Sequence, residues 1–368
     1  GTQVLFRVTR SYNTVSPSDG LKYEGSQERY FVRMKHTSTR LEYGWVAEKD
    51  PGEAFFRKSN KQGFDYNSAF ANFGIGKNDN RLYAGDYRVQ FGQGLVAWQG
   101  FSMGKSEETT QVFRLAQGIR SYSSTDENQF FRGLAGDLKL GDFVFSPFLS
   151  FRKLDASVST RDETHYFGAL QTTGYHRTIS EINGEDALKQ IATGGHLSFR
   201  YQHWSFGATA VFTRFNAFMD RSDDPYNQFL PEGSSNLAGG FDWKGSFNRM
   251  FVFGEGAFSR NNGRALVSGT LINLSKNVEF SVVYRNINRT YFSFFANSFT
   301  ESSRVNDEHA LYWGFKIYVA PKFTIRTYAD FFRFNWIKYT TAGPSSGTEF
   351  FVQMNYTPSG KSTCYLRF

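Results

Sequence analysis

A single cysteine, Cys364, occurs in the 368 residues, which excludes an internal disulfide framework and any Cys-rich zinc or iron–sulfur centre. No run of about 18 apolar residues occurs either, so the chain offers no transmembrane helix. Proline is scarce, with 8 residues, and no block of five like charges breaks the mixture of acids and bases. The net charge of +8 is therefore read as mixed charge on loops and in a lumen, not as the footprint of a nucleic-acid surface. The start lacks a basic segment followed by an apolar one, so Gly1 is expected to follow a removed signal peptide or further chain.

Aromatics are abundant. The 41 Phe and 20 Tyr bring them to 18 %, yet mean hydropathy is −0.48. Such a chain must segregate apolar from polar residues at short range, and it does so with period two. Val278, Phe280, Val282 and Tyr284 alternate with Glu279, Ser281 and Arg285. Trp204, Phe206, Ala208, Ala210 and Phe212 alternate with Ser205, Gly207, Thr209 and Thr213. Leu311, Trp313, Phe315, Ile317 and Val319 alternate with Tyr312, Gly314, Lys316 and Tyr318, and Phe350, Val352, Met354 and Tyr356 with Gln353 and Asn355. Weaker versions recur near 2–10, 28–37, 40–48, 66–76, 81–92, 129–140, 142–152, 193–202, 236–244, 248–258, 264–273, 322–335 and 361–368. About 17 strands of roughly ten residues result, the length a tilted barrel strand needs. A soluble sandwich would need one core for all those apolar faces, larger than domains build. In a bilayer only a closed barrel pairs every backbone group of a non-helical chain. The fold expected is an all-β, antiparallel transmembrane barrel of 18 or more strands, an even number, with a polar lumen of mixed sign.

The links between strands alternate in length. Those at 36–40, 76–80, 140–142, 202–204, 244–248, 274–277, 320–322 and 357–361 are short. Those near 11–27, 49–65, 93–128, 153–192, 214–235, 290–308 and 336–347 are long, and only 259–263 breaks the rule. Tight periplasmic turns and extended outer loops give this alternation, which places the N-terminus on the periplasmic side of a bacterial outer membrane. Gly141–Asp142 and the 76–80 turn supply residues tolerant of positive φ. The segment 180–192 reads as a short helix with a polar N-terminal end. The loops 93–128 and 153–192 are long enough to fold inward as a constriction or to form an external lid.

Candidate lumen-lining residues are Arg33, Glu42, Asp86, Arg88, Arg200, Glu279, Arg285, Lys316, Arg326 and Asp330. Tyr43, Trp45, Trp98, Trp204, Trp243, Trp313 and Trp336 lie near strand ends, as aromatics of a membrane-interface girdle would. Motifs of soluble chemistry fail on inspection. Residues 100–106 resemble a phosphate-binding loop, but Gln99 stands where its first glycine is required. Gly92-Gln-Gly94-Leu-Val-Ala97 matches a loose dinucleotide fingerprint without the surrounding βαβ unit. The six histidines, His36, His165, His176, His196, His203 and His309, show no ligand spacing, and no GxSxG marks a serine nucleophile. No catalytic residue, metal or cofactor is expected.

The stretch 85–106 (GDYRVQFGQGLVAWQGFSMGKS), with Ala47-Glu-Lys-Asp-Pro-Gly-Glu53, Lys61-Gln-Gly-Phe-Asp65, Gly174-Tyr-His-Arg-Thr178 and Pro225-Tyr-Asn-Gln-Phe229, resembles large outer-membrane barrels of Bacteroidetes. That family is described as helix-hairpin-helix, competence-type DNA-binding proteins. The resemblance spans nearly the whole chain and implies fold and location. In the family, helix-hairpin-helix repeats precede the barrel and further hairpins follow the region matching 356–368; neither has counterparts here, so no DNA-binding residue is carried over. The expected function is a non-enzymatic conduit or gated pore, with DNA or macromolecule passage as one version. The alternative is a structural barrel with a loop-closed lumen inside a larger outer-membrane complex. Expected partners are membrane lipid and lipopolysaccharide, and other outer-membrane proteins or lipoproteins.

Overall fold

The computed structural model describes residues 1–10, 23–76, 79–102, 104–339 and 341–368. The link 11–22, the tip of the 76–80 turn, Met103 in the phosphate-loop-like stretch and residue 340 lie outside that set.

Twenty strands form one sheet. In chain order they are β1 (Thr2–Arg10), β2 (Glu28–Thr37), β3 (Leu41–Lys49), β4 (Tyr66–Ile75), β5 (Asn80–Gln90), β6 (Gly118–Ser121), β7 (Phe131–Leu140), β8 (Phe143–Leu154), β9 (Ala156–Arg161) and β10 (Thr164–Leu170). They continue as β11 (Leu188–Tyr201), β12 (Trp204–Met219), β13 (Gly233–Phe247), β14 (Met250–Ser259), β15 (Gly263–Ser275), β16 (Val278–Ile287), β17 (Glu308–Ala320), β18 (Phe323–Phe334), β19 (Ser345–Ser359) and β20 (Ser362–Arg367). Leaving out β6, β9 and β10, seventeen strands form an antiparallel meander, each pairing with the next in sequence. These are the seventeen segments that alternation marks. Several run longer than expected, β11 through β13 and β19 most of all, because cross-strand pairing continues into the expected loops: Leu188 pairs with Leu154, Arg214 with Ser235 and Phe334 with Ser345. The expected helix over 180–192 is real only at Ile179–Gly184, where Thr178 and Glu181 form a capping box. Gly184 ends it, Asp186 takes a positive φ of 54°, and the residues from Leu188 onward join the wall.

The sheet is turned inside out relative to a soluble protein. On β12, Phe206, Phe212 and Phe218 are exposed while Gly207, Thr209 and Thr213 are buried. Leu311, Phe331 and Phe350 face out on β17 to β19, where Tyr312, Asp330 and Gln353 face in. Such a surface is stable only against hydrocarbon, so this is a membrane β-barrel wall. Tight turns rely on positive φ at Gly141 (62°), Gln202 (52°) and Asn248 (52°). The abundance of both glycine and aromatics has a common cause. Rings occupy the space beside glycines of the neighbouring strand: Trp204 at Gly245, Trp243 at Gly254, Phe258 at Gly239 and Phe253 at Gly269. A Cβ at any of these glycines would occupy the ring's place.

Because seventeen is odd, β1 and β20 run in the same direction, and no pairing joins them among the described residues. Both strands are exposed on both faces.

Val282 points outward from the middle of β16. Val282→Arg should destabilise the barrel by about 2–4 kcal/mol, the cost of a mid-depth cation on a lipid face, while Val282→Leu stays within about 0.5 kcal/mol. Reversible urea unfolding in lipid vesicles measures both; equal, small effects would contradict the outward assignment.

Candidate functional site

A segment of the chain enters the lumen. After β5 the chain turns inward at Phe91, crosses the barrel and returns to the wall at β6. Leu95, Val96 and Ala97 have no exposed surface. The turn is built on glycine. Gly92 and Gly94 have φ of 57° and 82°; a Cβ on Gly92 would meet the Glu255 carboxylate at 2.6 Å, and one on Gly94 would strike the Asn297 carbonyl. The backbone thereby wraps a side-chain anion. Glu255 of β14, 1 % exposed, accepts hydrogen bonds from the N–H groups of Gln93 (2.6 Å), Leu95 (2.9 Å) and Val96 (3.2 Å). Three N–H donors converging on one carboxylate satisfy a charge that burial would otherwise make very costly. The stretch that resembles a dinucleotide fingerprint thus does hold an anion, one supplied by the protein itself.

The loop before β17 meets this turn from the other side. Tyr291 Oη donates to the Leu95 carbonyl (2.8 Å), Ser293 Oγ to the Val96 carbonyl (2.7 Å), and Trp98 N–H to the Phe295 carbonyl (2.8 Å). Phe91, Leu95 and Val96 pack into one buried cluster with wall residues including Tyr87, Phe131, Val211 and Phe253. The lumen expected to be polar therefore contains an apolar core. Its reason is the inserted segment, which brings apolar side chains that must be buried there. Trp98, expected at the membrane interface, belongs to this interior, 6 % exposed with the Arg114 guanidinium over its ring.

Beyond Gly100 the inserted segment becomes charged and docks on β16 to β20. Lys105 pairs with Glu301, Glu349 and Asp330 (3.2 Å for the last). Asp330 also holds Arg285 (2.8 Å), which pairs with Glu308 at 2.6 Å; all three are about 1 % exposed or less. Glu108 bridges Lys316 and Arg326, Thr110 donates to Glu279, and Glu107 accepts from Arg367 and Gln353. The Thr109 carbonyl accepts from Ser281 (2.8 Å) and Tyr312 (2.9 Å).

Of the expected lumen residues, Glu279, Arg285, Lys316, Arg326 and Asp330 are thus gathered against the inserted segment. On the opposite wall Asp86 holds Arg132 through both oxygens (2.7 and 2.8 Å), Arg88 donates to Gln117 (3.0 Å) and Glu42 pairs with Lys35 (2.6 Å). Arg33 is half-buried on β2, and Arg200 is exposed at the short-turn end of β11. Of the aromatics, Tyr43, Trp45, Trp204, Trp243 and Trp313 sit on wall strands. Trp336 lies in the link after β18 against the long loop between β12 and β13, its indole N–H bonded to the Pro225 carbonyl (2.9 Å) and its ring against Phe229. Lys105, Glu107 and Glu108 escape sequence reading because isolated acids and bases carry no spacing; strand parity puts Glu255 on an inward face, and only the Gly92–Gly94 pair signals that an anion is bound there.

The loop 155–187 packs Phe167 against Phe215 of β12. It forms the β9–β10 hairpin and a clasp in which His176 bonds Asp65 through Nδ1 (2.5 Å) and Asp155 through Nε2 (3.2 Å), while Glu53 accepts the His176 N–H (3.1 Å). Glu53, Asp65 and His176 could supply three ligands to a metal, though both ring nitrogens are committed to carboxylates. Burial opposes the charged ring, but the bonds to Asp155 and Asp65 prevail and raise His176 to about 11. Burial lifts Glu53 to about 8 and Glu127 to about 9.

No family model matches the chain, and no curated protein matches it. Solved structures of porins are similar in outline at low identity. OpdQ of Pseudomonas aeruginosa is 12 % identical over 92 % of this chain and 85 % of its own, with a TM-score of 0.45. OccK11 of Pseudomonas aeruginosa is 9 % identical over 96 % and 84 %, at 0.48. An anion-selective porin from Comamonas acidovorans is 12 % identical over the full length of both, at 0.41.

Two outcomes test this geometry. Arg285→Met leaves the buried Glu308 without its cation and Asp330 with Lys105 alone, and should cost about 3–5 kcal/mol, read by urea unfolding; a change below about 1 kcal/mol would show the charges to be solvated. The clasp should loosen as pH rises from 7 to 10. The His176 contribution is complete below its ordinary 6.5 and disappears through about 11, while the raised acids cost stability from 4.5 upward to about 8 and 9. Hydrogen exchange at 171–187, corrected for its intrinsic pH dependence, should accelerate; unchanged protection would contradict the clasp.

Proposed function

We propose that the protein is an outer-membrane conduit held shut by the segment 91–117, with its long loops outside the cell and its N-terminus on the periplasmic side. The observation that carries this reading is the way the segment is held. It is anchored at both ends, by Glu255 and apolar packing at 91–98 and by Val112 and Phe113 against the Phe253 cluster, whereas the stretch 105–110 between them rests on ion pairs and side-chain hydrogen bonds to β16 through β20. Contacts of the second kind exchange readily with water and ions, as a gate requires. A purely structural barrel, closed permanently and docked in a larger complex, is the second reading, favoured by the apolar cluster around Leu95 and Val96. DNA passage would require the whole segment to leave, and Arg88, Arg132, Arg285 and Arg326 are already paired within the chain.

Single-channel recording in planar bilayers separates the readings. The intact protein should be mostly silent. Replacing 93–117 by a short flexible linker should give a steady conductance, and Lys105→Gln should give brief openings at least tenfold more frequent than in the parent. A large steady conductance from the intact protein, unchanged by either variant, would overturn the gated reading. Silence of Lys105→Gln together with an open deletion variant would favour the permanently closed barrel.

A further inference from the structure

The register of β16 to β20 aligns one row of inward side chains at a single height. Glu279 pairs with Lys316, Lys316 with Arg326, Arg326 with Gln353, and Gln353 with Arg367. Four adjacent strands therefore present Lys, Arg, Gln and Arg side by side, with Glu279 at one end. Two cations directly opposed across a strand pair repel, and such a pair destabilises a sheet unless an anion is shared between them. Here the anion is Glu108, whose two oxygens take one cation each: Arg326 Nη2 at 2.5 Å and Lys316 Nζ at 3.1 Å. Its neighbour Glu107 serves the other end of the row, accepting from Arg367 Nη2 (2.9 Å) and Gln353 Nε2 (3.1 Å) through one oxygen. Arg326 Nε remains buried without a partner among the described residues.

We propose that this row is an anion-binding strip, occupied in the closed state by the gate's own Glu107 and Glu108, and that the conduit's solutes are small organic anions carrying two or more carboxylate or phosphate groups. The row is a fixed donor set on rigid strands. The two carboxylates that fill it lie in the stretch 105–110, held by ion pairs and hydrogen bonds between the apolar anchors at 91–98 and at Val112–Phe113. A dianion of similar span satisfies the same four side chains, and by competing with Glu107 and Glu108 it frees that part of the segment. Once the gate is displaced, Lys316, Arg326 and Arg367 line the path and favour anions over cations. This proposal rests on the gated reading for its transport role, but not for binding.

The experiment uses the full chain with citrate as probe. Glu107→Gln/Glu108→Gln removes the tethered competitor, so calorimetry should show citrate binding at least tenfold tighter than to the parent. Adding Lys316→Gln and Arg326→Gln should abolish it, and a neutral disaccharide should not bind to either. In bilayers, citrate should raise the open frequency of the parent, and the reversal potential of the double variant in a salt gradient should report anion preference. Absence of citrate binding to Glu107→Gln/Glu108→Gln, or binding that survives loss of both cations, overturns the strip. Binding without any conductance supports the strip and instead overturns the gated reading.

Discussion

Within hydrocarbon every backbone N–H and C=O must find a partner in the chain, and the architecture follows from that constraint. It forces neighbouring strands to pair over their whole membrane depth, as β12 does with β11 and β13. It places Phe, Leu and Val outward and leaves Thr, Gly and charged residues to face each other inside. A wall of seventeen strands encloses more space than its own side chains fill. The segment after β5 occupies that space, and its own backbone groups then need partners in turn. Glu255 satisfies three of its N–H groups, and Tyr291 and Ser293 satisfy two of its carbonyls.

The interior consequently divides into two regions with different physics. Around 91–98 it behaves as the core of a soluble domain, with apolar side chains, tight glycine turns and one fully satisfied carboxylate. From 105 to 110 it is an electrostatic interface, in which Lys105, Glu107 and Glu108 each meet two or more wall groups. The apolar half fixes where the segment lies. The charged stretch 105–110 is the part more open to perturbation, since ion pairs near water are weakened by salt and by competing ions while buried apolar contacts are not.

Period-two alternation was sufficient to locate all seventeen wall strands, because lipid on one side and a polar interior on the other impose opposite demands on consecutive residues. The alternation of turn lengths was legible for the same reason. Strand ends were less so: β11 to β13 extend past the apolar alternation, where pairing continues but the outward face no longer meets lipid. The short strands β6, β9 and β10 were missed, since their sequences alternate weakly and they form only within folded loops. Inward charges such as Arg285 and Asp330 could be named from strand parity, but their partners could not, because Lys105 and Glu308 lie far away in sequence. Trp98 misled for a related reason. An aromatic just past a strand end has the same local context whether the next residues turn outward along the membrane surface or inward into the lumen.

The central claim is that residues 95–97 sit in the lumen, sealed from water by the wall and by the loop around Phe295. Its most direct test is cysteine labelling in intact outer membranes, with Cys364 replaced by Ser. Leu95→Cys, Val96→Cys and Ala97→Cys should resist a water-soluble maleimide, while Phe101→Cys, at a position 86 % exposed, should react quickly. Reaction of all four at similar rates would place the segment outside the barrel and contradict the account.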